Sequence, residues 1–129
     1  FQLKEFVKDF LIKEKISITD LGPFTSNSVD YPDYAKKVSK RVQSKKSDIG
    51  ILICGSGTGM AITANKTKGI RAAVCYNSKL TRLSREHNNA NIISLGSRFI
   101  NKKDALKMVS IFLKTKFEGG RHQRRVKKI

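Results

Sequence analysis

The sequence contains no tryptophan, only two prolines and two cysteines, and ten acidic residues among 129. Each scarcity excludes something. The two cysteines, Cys54 and Cys75, end apolar runs and lack metal-ligand spacing. Neither a disulfide scaffold nor a zinc site is therefore readable, and reduced thiols in a cytoplasmic setting are expected. No apolar run approaches the roughly 20 residues a membrane span requires, and no signal-peptide layout is read. Ten acids against 27 lysines and arginines leave a net charge of +17, which by itself would suit a nucleic-acid partner. The chain offers no aromatic stacking platform and no helix-turn-helix, however. Its lysines are spread over every segment, among them Lys4, Lys8, Lys36, Lys37, Lys102, Lys103 and Lys107, so nucleic acid is not expected. Only Arg121 to Lys128 is dense enough for an anion grip, and by composition alone a solvated tail fits it better.

What the chain does have is a stretch from Gly50 to Lys66 around which the rest is organised. Ile49 and Ile51 to Ile53 read as a short strand buried on both faces, followed by a turn through Gly55, Gly57 and Gly59 into a helical pattern. Glycines let backbone N–H groups approach a ligand, and a helix start carries partial positive charge. The loop therefore suits a phosphate or a developing oxyanion. Its spacing matches neither Gly-x-Gly-x-x-Gly nor the Walker pattern. Cys54 stands at the loop's mouth, where N–H donors favour a thiolate; a small buried core residue is the other fate open to it.

Taken in order, Leu3, Phe6, Val7, Phe10 and Leu11 form one face of a first helix, and Ile16 to Leu21 alternates as a strand. A second helix from about Asp30 carries Tyr31, Tyr34, Ala35, Val38 and Val42 inward. After the glycine loop, Met60, Ala61 and Ala64 give the third helix a slim face. Ala72 to Tyr76 reads as a strand, Ser78 as a cap, and Leu80, Leu83 and Ser84 as a short helix. Ile92 to Leu95 is another buried strand, and Asn101 caps a last helix with Ala105, Met108, Val109, Phe112 and Leu113 inside. Alternating helices and β-rich runs predict one α/β domain over residues 1–129: a three-layer α/β/α, Rossmann-like parallel sheet. Ligands bind such sheets at the strands' carboxyl ends, where Cys54, Ser56, His87 and Arg98 are expected to converge.

Five segments sharpen this reading: Val29-Asp30-Tyr31-Pro32-Asp33-Tyr34-Ala35, Ile53-Cys54-Gly55-Ser56-Gly57-Thr58-Gly59-Met60, Ala64-Asn65-Lys66, Leu83-Ser84-Arg85-Glu86-His87-Asn88, and Phe117-Glu118-Gly119-Gly120-Arg121-His122 with Arg125. Together they resemble the type B ribose-5-phosphate isomerases, in the superfamily that also holds allose-6-phosphate and galactose-6-phosphate isomerases. The resemblance implies metal-free, cofactor-free aldose–ketose isomerisation of ribose 5-phosphate and ribulose 5-phosphate through an enediolate, a step of the pentose phosphate pathway. It implies Cys54 as the general base, Ser56 and the loop of Gly55, Gly57, Thr58 and Gly59 around the enediolate oxygens, and His87 in ring opening. Asn88 and Tyr31 would line the pocket, and Arg121 and Arg125 would hold the phosphate, with Arg98 and His122 nearby. Some relatives use a glutamate at the position of Met60, which here cannot take a proton. The resemblance further implies a homodimer or homotetramer whose sites join the Cys54 loop of one subunit to the His87 and Arg121 segments of another.

In one respect the chain departs from the family. Members have about five strands and begin with one that ends in an Asp-His segment, whereas this sequence opens at Phe1 inside the first helix. A chain lacking that strand is expected to be truncated relative to the working enzyme. Two alternatives remain at this stage: a hexose-phosphate isomerase on the same scaffold, and a non-catalytic polyanion binder.

Overall fold

A computed structural model describes residues 1–129. Six helices, α1 (Gln2–Lys13), α2 (Tyr31–Gln43), α3 (Thr58–Ala64), α4 (Ser78–Glu86), α5 (Lys102–Lys114) and α6 (Arg121–Val126), alternate with strands β1 (Gly50–Cys54), β2 (Ala72–Cys75) and β3 (Ile92–Gly96). The strands pair in parallel in the order β1-β3-β2, with Cys54 opposite Gly96 and Cys75 opposite Leu95.

Side-chain alternation along the strands separates two cores. Ile93 and Leu95 face Leu3, Val7 and Leu11 of α1 and Ala105, Met108, Val109 and Phe112 of α5. On the opposite face, Leu52 and Ile92 meet Ala35 and Val42 of α2 and Met60 and Ala64 of α3. Helices therefore cover both faces, as the alternation of elements in the sequence predicts. β3, in the middle, is buried at all five positions.

The structure corrects several local expectations. Residues 16–21 form no strand, because no strand lies beside them to complete a ladder. Asp20 anchors the segment instead, accepting from Lys4 Nζ at 2.9 Å, Lys8 Nζ at 3.2 Å and the Gly22 N–H at 2.9 Å. This chain thus builds three strands where the resemblance implies about five. Asn77, not Ser78, caps α4, its side chain accepting from the Leu80 N–H. α4 turns Thr81 and Ser84 inward while Leu80 is half exposed. Asn101 caps α5 as expected. The cationic tail is not a loose segment: Arg121–Val126 is helical, entered through Gly119 and Gly120 at φ +71° and +56°. A side chain at either glycine would be strained in that conformation.

Two asparagines close the sheet where backbone partners run out. Asn65 accepts from the Ala72 N–H at 2.7 Å and donates to the Ala72 carbonyl at 3.0 Å, acting as an extra strand residue along the free edge of β2. Asn91 accepts from the Arg71 N–H and donates to the Gly69 carbonyl. Both groups would otherwise need solvent or another strand.

Candidate active site

Cys54 ends β1, and its Sγ accepts a hydrogen bond from the Gly57 N–H at 3.2 Å. The chain can turn that tightly because Gly57 takes φ +81°, a conformation that disfavours any side chain. Thr58 donates its N–H to Ser56 Oγ at 3.2 Å, while the N–H groups of Ser56, Gly59 and Met60 make no hydrogen bond to the rest of the chain. A polarised sulfur thus borders a set of free donors. Such an arrangement suits a base beside an anion-stabilising loop.

β3 holds this loop from below. The Ser94 hydroxyl, fully buried, donates to the Gly57 carbonyl at 2.6 Å. A Cβ added to Gly96 would stand 2.6 Å from the Ser56 carbonyl oxygen, so only glycine lets the loop approach the strand so closely. From the side, the Tyr76 hydroxyl donates to the Ser56 carbonyl at 2.7 Å. Sequence reasoning missed Ser94 and Tyr76, because each sits in an apolar strand context and reaches the loop only in three dimensions. Replacing Ser94 with alanine leaves the Gly57 carbonyl without its buried partner. The expected cost is about 1–3 kcal/mol in chemical denaturation, with a fall in turnover as the loop loosens. Unchanged stability would show that the bond contributes nothing.

Tyr31 and Arg98 complete this half. The Tyr31 ring covers Gly59, where an added Cβ would lie 2.7 Å from its ring atoms, so Tyr31 is a half-exposed loop neighbour and not the core residue its helical phase suggests. The Arg98 guanidinium lies over Gly55, 3.2 Å from where a Cβ would be. Cys75 differs from Cys54: it is buried, and burial pushes its thiol pKa up against the pull of hydrogen bonds with Thr81 and Ser84.

The second half lies elsewhere. His87 caps the C-terminus of α4, and the chain then enters β3 through Ala90 and Asn91, whose carbonyl accepts from Gly50 at the start of β1. That is the sheet's amino edge. Four residue steps along β1, at about 3.3 Å each, put about 13 Å between it and Cys54. The expected convergence of His87 with Cys54, Ser56 and Arg98 at one edge is therefore corrected. An α-helix returning from a carboxyl edge to start a parallel strand must end at the amino edge.

There, His87, Asn88, Arg121, His122 and Arg125 line a cleft of about 500 Å³. Arg85 fastens the last segment to α4, donating to the Thr115 carbonyl at 3.0 Å, and the Glu118 N–H donates to the Glu86 carbonyl at 3.1 Å. The His87 and His122 rings stack at 4.2 Å. Glu118, which sequence reasoning quoted only as part of a motif, places Oε1 3.8 Å from His87 Nε2 and 3.5 Å from His122 Nε2. Burial first, then the charges of His87 and Arg121, hold His122 below the ordinary histidine pKa. Two guanidiniums at one mouth are suited to a phosphate.

The Ribose/Galactose Isomerase family model matches residues 1–129. The chain is 45% identical to the probable ribose-5-phosphate isomerase B of Mycoplasma genitalium, over 98% of this chain and 85% of that protein. Ribose-5-phosphate isomerase B of Clostridium thermocellum superposes with a TM-score of 0.97 at 50% identity, covering 98% of this chain and 86% of the other. The Mycoplasma genitalium enzyme solved with bound ribulose-5-phosphate gives 0.95 at 42% identity, over 99% and 86%.

Proposed function

The chain belongs to the ribose/galactose isomerase family, and we propose that it is a cytoplasmic isomerase acting as one domain to interconvert ribose 5-phosphate and ribulose 5-phosphate. The observation that carries the reading is the Gly57 N–H on Cys54 Sγ, which places a polarised sulfur among free backbone donors. Cys54, as thiolate, takes the proton from C2 of the open-chain aldose. The electron pair forms the C1–C2 double bond of an enediolate, and the negative charge on oxygen meets the loop donors and Ser56. Transfer of a proton between the two oxygens and return of the Cys54 proton to C1 give the ketose, with no net change in protons.

His87 moves the proton that opens the sugar ring, Asn88 holds hydroxyls beside it, and Arg121 and Arg125 bind phosphate. Since Cys54 and His87 stand at opposite sheet edges of one chain, the reading requires a second copy to bring its cleft against the Cys54 loop. The working unit is then a homodimer, or a tetramer of two, with shared sites. Phe99, 65% exposed and packed edge-on against Tyr76 beside the loop, offers an apolar border for that second copy.

A coupled assay comparing ribose 5-phosphate with allose and galactose 6-phosphates tests the reading. Preference for a hexose phosphate would overturn the pentose assignment, and inertness toward all three would overturn the activity. Arg121→Ala should raise KM about 10- to 100-fold, the loss of one charge-assisted phosphate contact, with a smaller fall in kcat. An unchanged KM would remove Arg121 from the phosphate site.

A further inference from the structure

We propose that His87, Glu118 and His122 form a site for a divalent transition cation of the zinc type, and that filling it inhibits the isomerase. One ligand atom from each residue lies within 4.8 Å of the others. The separations from Glu118 Oε1, 3.5 and 3.8 Å to the two Nε2 atoms, are too long for good hydrogen bonds. They suit neighbours around one ion, because ligands about 2.1 Å from a tetrahedral zinc stand about 3.4 Å apart. The rings are only 13° from parallel, so their in-plane Nε2 lone pairs run side by side, and one imidazole must rotate to bring both onto a single ion.

The scaffold is already ordered. The Glu118 backbone is bonded to the end of α4 next to His87, and the His122 N–H donates to the Gly119 carbonyl. Arg121 and Arg125 line the same cleft and oppose any cation. Two imidazoles with one carboxylate therefore favour zinc-like ions, whose bonds to nitrogen are strong, over magnesium or calcium, which prefer all-oxygen sites. Glu118 and His122 are four residues apart, but His87 lies 31 residues before Glu118, so the full set does not read as one motif in the sequence. Inhibition rests on the role given to His87 above: an ion on Nε2 occupies the lone pair that would carry the ring-opening proton.

The test uses metal-free protein titrated with Zn²⁺ against a chromophoric chelator and with Co²⁺ followed by visible absorption, alongside Glu118→Gln, His122→Asn and Cys54→Ser. One ion per chain with tetrahedral cobalt bands is expected. Affinity should weaken at least about 100-fold in the first two variants and stay unchanged in the third. Equal affinity in Glu118→Gln, whose exposed side chain can change without threatening the fold, would overturn the site, as would loss of the cobalt bands in Cys54→Ser. In the ribose 5-phosphate assay, turnover should fall in step with occupancy and return with EDTA. Full occupancy with undiminished turnover would overturn the inhibition and the role of His87 together, while leaving the metal site standing.

Discussion

Replacing Cys54 with alanine should reduce kcat for ribose 5-phosphate by about 10³-fold or more, the scale of losing a positioned general base, while a competitive sugar-phosphate inhibitor still binds within about twofold. The sulfur has one hydrogen bond in the chain, from Gly57, and the loop is held independently by Ser94 and Tyr76. Loop geometry and the distant arginine cleft should therefore survive the change. Cys54→Ser separates proton transfer from architecture: a hydroxyl can still accept from Gly57 but is a far weaker base at neutral pH. It should be nearly as inactive as the alanine variant. Turnover within tenfold of the parent in either variant would mean that the proton is carried by another group. Inhibitor binding lost along with turnover would mean that Cys54 organises the loop.

Mixing two dead proteins should restore activity. Cys54→Ala and His87→Asn each spoil both sites of a symmetric dimer. In the mixed dimer both lesions fall in one site, and the other combines an intact loop with an intact cleft. Random exchange makes half the dimers mixed, so the mixture should recover up to about one quarter of the parent's activity. Measuring turnover after co-refolding, with each variant refolded alone as control, decides the point. No recovery, where mixed dimers are demonstrably formed, would place Cys54 and His87 in sites confined to one chain. That outcome would require a rearrangement spanning the sheet.

The features legible in the sequence are those set by neighbours along the chain. The apolar run before Cys54, the glycine turn, the period of α5 and its Asn101 cap are all local, and the structure keeps each. Ile16 to Leu21 alternates like a strand, but alternation makes a strand only beside a partner, and partners are a property of the sheet. Tyr31 has the phase of a core residue; it is the missing side chain at Gly59 that draws its ring over the loop. The cationic tail looks like a solvated segment because six residues are too few to show a helical period. The segment leading into it is fastened by Arg85 at Thr115 and by the Glu86 carbonyl at Glu118, far away in sequence. The placement of His87 is the most instructive case. Its motif is readable, but its edge of the sheet follows from the direction of α4, and its relation to Cys54 is, in the reading proposed above, set between two chains.

Ser94 and Gly96 meet the Cys54 loop from β3, the strand buried at every position and paired on both sides. Amide protons there are expected to exchange only when the whole domain opens, whereas peripheral loops ordinarily breathe on their own. The chemistry is thus fastened to the portion of the molecule that comes apart last. Warming should find no intermediate in which the fold persists with a molten loop, and, short of the copies separating, heat inactivation and global unfolding should become one event.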